Sequence, residues 1–171
     1  CSMPDLKTAA SVSIVVPFHN EEPNVIEMYW RLHAVMEALG RNHQFVFVDD
    51  GSTDLTYKLL KELAVIDPRV TVVRLRRNFG QTGALAAGFA HSTGDYVIAM
   101  DGDLQHDPAE IPGFLEKIEQ GYDIDGDHVN TIARQGIRVT GPIDEFTVRV
   151  PAFTPASLGG VWDEIVLATK G

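Results

Sequence analysis

Short apolar runs alternate with stretches of helical periodicity through residues 12–120. Val12 to Val16 is a mostly β-branched run that ends at Pro17, which predicts a buried strand stopped by proline. From Val25, apolar positions recur at Ile26, Tyr29, Leu32, Val35, Met36 and Leu39, the spacing of a helix. Asn20 or Glu22 is placed to cap it, Pro23 suits its first turn, and Gly40 is a good stop. Phe45-Val-Phe-Val48 is continuous rather than alternating, as expected for a central parallel strand covered on both faces. A second helix is predicted to about Ile66, with Leu55, Leu59, Leu60 and Leu63 on one side. Val70–Leu75 reads as a third strand. Asn78–Gly94, rich in Gly and Ala, holds a helix packed close to the sheet, and Tyr96–Met100 is a fourth strand. Asp107-Pro-Ala-Glu110 resembles a capping box, and the helix it opens is expected to run to Gln120.

Four strand-helix alternations predict an α/β fold with a doubly wound, mostly parallel sheet. Such sheets bind ligands beyond the carboxyl ends of their strands. Pro17–Glu22, Asp49–Asp54, Arg76–Gly83 and Asp101–Gln105 all fall there, so four polar loops are expected to converge on one rim.

After residue 124 the pattern changes. A short polar helix is predicted from Asp125 to Gln135. Gly136–Thr140 and Glu145–Val150 alternate around Gly141 and Pro142 and read as a β-hairpin. Trp162–Ala168 reads as one more buried strand. Two units are therefore expected, residues 1–124 and residues 125–171, the second completing or appended to the sheet.

The chemistry concentrates in Asp101-Gly-Asp103. Residues i and i+2 of an extended chain point the same way, so both carboxylates can aim at one point beyond the fourth strand. Gln105 adds a neutral oxygen. Such a set suits Mg²⁺ or Mn²⁺, which completes its shell with water and substrate phosphates. The same triplet also makes an ordinary surface turn. A calcium EF-hand is excluded, because His106 and Pro112 stand where that loop requires Gly and Glu. The six histidines show no metal-ligand spacing, and no G-x-x-x-x-G-K-[ST] occurs.

A length of 171 residues suits one well-buried domain. The net charge of −10 argues against nonspecific nucleic-acid binding and against a basic membrane-surface patch. One cysteine, Cys1, allows no internal disulfide and fits a reducing, cytoplasmic setting. No apolar run reaches transmembrane length, and no signal peptide is expected.

Val15-Val-Pro-Phe-His-Asn-Glu21, Val48-Asp-Asp-Gly-Ser-Thr-Asp54, Arg77-Asn-Phe-Gly-Gln81 with Ala87-Gly-Phe89, and Met100-Asp-Gly-Asp-Leu-Gln105 together resemble the motif set of family-2 glycosyltransferases. The order and intervals fit the polyprenyl-phosphate sugar transferases, of the dolichyl-phosphate and undecaprenyl-phosphate kinds, over residues 10–124. The resemblance implies a GT-A, Rossmann-like fold and a UDP- or GDP-linked sugar donor. It implies that Pro17 and Glu21 line the nucleoside pocket, with Glu21 near the ribose. Asp49 and Asp50 would include the carboxylate that pairs with the base, and Arg77 and Gly80 would lie near base and diphosphate. Asp101, Asp103 and Gln105 would hold the metal. Read from the residues alone, Glu21 is equally a first-turn helix acid favoured by the dipole, and Asp49-Asp-Gly51 a simple βα turn. Arg74 and Arg76 read as solvated surface.

The family's acceptor half is missing, and no residue is assigned as catalytic base. Residues 127–170 instead resemble an internal segment of ketopantoate reductase, with Lys170 after the strand. The chain therefore reads as a truncated or composite glycosyltransferase. An NAD(P)-dependent oxidoreductase is an alternative, though the first loop lacks G-x-G-x-x-G and carries acids that would repel a pyrophosphate. A non-catalytic α/β scaffold is a third reading.

Overall fold

The computed structural model describes residues 10–119, 137–140, 145–148 and 167–169. Strands β1 (Val12–Phe18), β2 (His43–Asp49), β3 (Val70–Arg74) and β4 (Tyr96–Ala99) alternate with helices α1 (Glu22–Leu39), α2 (Thr56–Ile66) and α3 (Gln81–Ala90). A 3₁₀ turn over Pro108–Glu110 leads into α4 (Ile111–Glu119). The hairpin strands are β5 (Ile137–Thr140) and β6 (Glu145–Val148), and β7 is Leu167–Thr169.

The main sheet has the order β3-β2-β1-β4-β7. Its first four strands run parallel. The chain steps outward from β1 to β2 to β3, then returns to place β4 on the other side of β1. The two sides part at the carboxyl ends of β1 and β4, a topological switch point where α/β sheets open a ligand crevice.

Alternation along β1 sorts the core into two layers. Val12, Ile14, Val16 and Phe18 pack with α1, α2 and α4. Val15 faces the other way, with Val46, Val48, Ala84 and Phe89, against α3. Gly88 makes the second contact possible: a Cβ there would stand 2.2 Å from Val15 Cγ1. The Gly/Ala-rich helix is therefore tight packing, as its composition predicted.

Pro17 does not stop β1; the strand continues to Phe18. Asp50 N–H donates to Phe18 O on the β2 side, and Met100 N–H donates to Val15 O on the β4 side. Odd positions thus face β4, whose ladder has already ended at the Val15–Ala99 pair. Pro17, which has no N–H to give, stands just past that end, and from there β1 continues paired with β2 alone.

Gly40 closes α1 in the left-handed conformation, φ 63°, giving its N–H to Met36 and Glu37 carbonyls. Neither Asn20 nor Glu22 caps α1 with its own side chain. The N-termini of α1 and α2 cap each other instead: Asp54 Oδ2 accepts from Glu22 N–H, and Glu22 Oε2 accepts from Leu55 N–H. Asp107 does cap the 3₁₀ turn, accepting from Ala109 N–H at 3.0 Å.

The expected hairpin is present as β5 paired antiparallel with β6. The expected last strand is realised over Leu167–Thr169. It pairs antiparallel with β4, whereas the next strand of a Rossmann unit would run parallel. The polar helix expected over 125–135 lies outside the described residues. No helix among the described residues is long and apolar enough to cross a membrane.

Candidate functional site

The switch-point crevice holds a cavity of about 310 Å³. Pro17, Glu21, Asp50, Gly80, Asp101 and Asp103 line it, so six of the nine residues proposed from sequence come together. Phe18, His19, Asn78, Gln81 and Gly102 complete the lining. Four of these lining residues are carboxylates, and among the described residues no Lys or Arg lines the cavity.

Each wall has a local cause. Asp101 and Asp103 follow β4 in a tight turn. Gly102 packs against Phe18, where a Cβ would meet the ring at 2.6 Å, and Leu104 takes a positive φ of 64°. Asp103 Oδ1 accepts from Gln105 N–H at 3.0 Å, which fixes the turn. Asp101 Oδ1 accepts from Gln81 Nε2 at 2.7 Å. Glu21 stands at the N-cap of α1 without capping it; its Oε2 accepts from Asn24 Nδ2 at 2.6 Å. His19 Nδ1 lies 2.8 Å from Asp50 O, tying the first loop to the second.

Asp49 and Asp50 part ways because neighbours on a strand face opposite sides. Asp50 turns to the cleft. Its two oxygens accept from Phe79 N–H at 2.7 Å and Gly80 N–H at 3.1 Å, so this carboxylate holds the β3-α3 loop. Asp49 is fully buried away from the cleft. Its Oδ1 accepts from Ser52 N–H. Its Oδ2 lies 3.5 Å from Arg74 Nε, an ion-pair distance without hydrogen-bond alignment. Arg77 is also outside the lining: its guanidinium stacks on the Phe79 ring at 4.7 Å. Gln105 is exposed, and its part in the turn is through its backbone.

Gly51 lets the second and third loops touch. It has φ 66°, and a Cβ there would stand 2.3 Å from Arg77 C. Gln81 was quoted in the third motif without a role; its place at the start of α3, opposite the Asp-Gly-Asp turn, is the signal that points to the cleft.

Among the described residues no cluster of three or more His, Cys, Asp or Glu is arranged to hold a metal ion. The cleft offers a partial set, Asp101 and Asp103. That fits a hard divalent cation that keeps waters and takes substrate phosphates as further ligands. It does not fit a structural metal with a full protein shell.

A mostly parallel α/β sheet with an acid-rimmed crevice at its switch point places the chain in the doubly wound α/β class. The chain belongs to glycosyl transferase family 2, whose model matches residues 13–142. It is 44% identical over 125 residues to the undecaprenyl-phosphate 4-deoxy-4-formamido-L-arabinose transferase of Edwardsiella ictaluri (strain 93-146), covering 72% of this chain and 38% of that protein. The transferase of the same name from Pseudomonas paraeruginosa (strain DSM 24068 / PA7) is 47% identical over 116 residues, 67% of this chain and 34% of that one. The chain thus spans little more than a third of the length of these relatives.

Among solved structures, the mannosyltransferase PcManGT from Pyrobaculum calidifontis, in complex with GDP-Man and Mn²⁺, matches with TM-score 0.60 at 19% identity, over 98% of this chain and 46% of that one. Mannosyl-3-phosphoglycerate synthase from Rubrobacter xylanophilus matches with TM-score 0.57 at 20% identity, over 67% and 38%. Both likenesses show the fold, that of GT-A glycosyltransferases. The family match runs past residue 124, where the motif resemblance ends, and takes in residues 127–142 of the segment likened to ketopantoate reductase. The comparisons give that reductase resemblance no support.

Proposed function

We propose that this chain is the donor-binding half of a metal-dependent glycosyltransferase. It takes a UDP- or GDP-linked sugar, and the whole protein passes that sugar to a polyprenyl-phosphate acceptor at the cytoplasmic membrane face. The nucleotide-sugar site lies within residues 1–124, and Leu167–Thr169 adds a strand to the sheet edge beside it. Asp101 and Asp103 hold Mg²⁺ or Mn²⁺, with Gln105 at the edge of the site. Pro17 and Glu21 flank the nucleoside. Gly80 and Arg77 lie on the side of the base and diphosphate. Asp50, whose two oxygens hold the Phe79-Gly80 backbone, shapes that side and keeps lone pairs for a ligand donor.

One observation carries this reading: carboxylates from the ends of β1, β2 and β4 face a single cavity at the switch point of a family-2 fold. When bound, a divalent cation would stabilise the negative charge that develops on the departing diphosphate. The transfer names of the relatives, and GDP-Man with Mn²⁺ in a structural neighbour, support the substrate class.

Calorimetric titration of UDP and of GDP, each with Mn²⁺ and with a chelator, tests the proposal. Binding of one nucleotide that strengthens with Mn²⁺ is expected. Absence of nucleotide binding under both conditions refutes it.

A further inference from the structure

The strand that supplies the proposed metal-binding carboxylates ends at Ala99, so Asp101 sits in irregular backbone rather than on the sheet. Something must hold its side chain in one orientation. Gln81, the first residue of α3, donates from Nε2 to Asp101 Oδ1 at 2.7 Å. The helix start is itself held in place. Asp50, at the end of β2, binds the N–H groups of Phe79 and Gly80, the two residues just before Gln81. A hydrogen-bonded path therefore runs from β2, through the start of α3, to the turn after β4.

We infer that Gln81 is a positioning residue: its amide orients Asp101 for the divalent cation. The inference rests on the donor-site reading above. Its physical basis is that a ligating carboxylate is oriented by its outer hydrogen bonds, and the loss of one such partner typically matters by about 10–100-fold in metal affinity. Gln81 is exposed, so replacing it does not disturb the core.

Mn²⁺ uptake, read by electron paramagnetic resonance in the presence of UDP or GDP, is compared for the wild type, Gln81→Leu, Asp101→Asn and the double variant. Nucleotide affinity in chelator and the urea midpoint are measured alongside. The expected result for Gln81→Leu is Mn²⁺ affinity about 10–100-fold lower, with the urea midpoint unchanged and any change in metal-free nucleotide affinity smaller than that loss. The double variant is expected to match Asp101→Asn alone, because Gln81 acts through that carboxylate. Wild-type Mn²⁺ affinity in Gln81→Leu overturns the inference and leaves the donor site standing. So does an additive loss in the double variant. Failure of the wild type to take up Mn²⁺ with either nucleotide overturns the donor-site reading, and the inference with it.

Discussion

Asp67 closes α2 at the end of the sheet opposite the cleft, and its contribution to stability can be worked from its partners. It is almost fully buried. Oδ1 accepts from Arg69 N–H at 2.9 Å and Arg69 Nε at 3.0 Å; Oδ2 accepts from Arg69 Nη2 at 3.1 Å and the Tyr29 hydroxyl at 3.0 Å. Burial opposes ionisation, but the Arg69 and Tyr29 bonds together outweigh it and hold the carboxyl at about 2 instead of 3.8. The folded value lies below the unfolded one. The stabilisation is therefore fully present above about pH 4 and is lost as pH falls toward 2. At about 1.4 kcal/mol per pKa unit, the displacement corresponds to about 2 kcal/mol. Urea unfolding of wild type and Asp67→Asn, followed by circular dichroism from pH 7 down to pH 2.5, reads this directly. The variant is expected to be about 2 kcal/mol less stable at neutral pH, with an unchanged denaturant slope, and the gap should close below about pH 4. A gap that stays constant down to pH 2.5 would refute the argument, because the lost stability would then not come from the charge.

Gly51→Ala meets both a positive φ and a Cβ 2.3 Å from Arg77 C; a loss of about 2–4 kcal/mol is expected, read by urea unfolding, together with weakened nucleotide binding. Gly88→Ala drives a methyl to 2.2 Å from Val15 Cγ1 and should cost about 1–3 kcal/mol. Adding Val15→Ala removes the clashing carbon, so the double variant should be more stable than the summed single losses by about 1 kcal/mol, again by urea midpoint. Asp101→Asn and Asp103→Asn should each weaken the Mn²⁺ enhancement of nucleotide binding while shifting stability by less than about 0.5 kcal/mol. Calorimetry and thermal melting check the two halves of that statement.

The four parallel strands were legible because central strands are continuous apolar runs, and their loops because turn residues and acids follow each run. Tertiary choices were not. Asp49 and Asp50 are chemically identical in sequence; only the registration of β2 between its neighbours decides which faces the cleft and which is buried beside Arg74. Arg77 sits in the third motif, but its guanidinium is taken by Phe79 next door. On α1, Ile26 counts as a core position by spacing, yet it is 40% exposed, while Met28 is fully buried. The apolar stripe is wider than one side of the helix, and the sheet covers only part of it. The exchange of caps between α1 and α2 joins residues more than thirty positions apart, beyond the reach of any local pattern. Past residue 124 the alternation of the hairpin was readable. The antiparallel sense of β7 was not, since an edge strand joins a sheet in either sense without changing its own composition.

The charge of the rim bears on how the proposed site works. Glu21, Asp50, Asp101 and Asp103 line one cavity, and among the described residues no Lys or Arg lines it. On the proposed reading, a nucleotide diphosphate approaching without a cation meets these four carboxylates, and Asp50 already takes the N–H groups of Phe79 and Gly80. A site built this way disfavours the anion until a cation is shared between protein and ligand. On the proposed reading, metal and nucleotide are then linked: each strengthens the other by the same factor, because the coupling free energy is reciprocal. A basic pocket would bind nucleotides without metal and would hold the diphosphate product tightly. On the same proposed reading, the acidic rim would make retention depend on the cation and would let product leave with it. On that reading the four carboxylates make the anion's binding conditional on the cation, and the hydrogen bonds from Gln81 and the loop backbone hold three of them, Asp50, Asp101 and Asp103, in place.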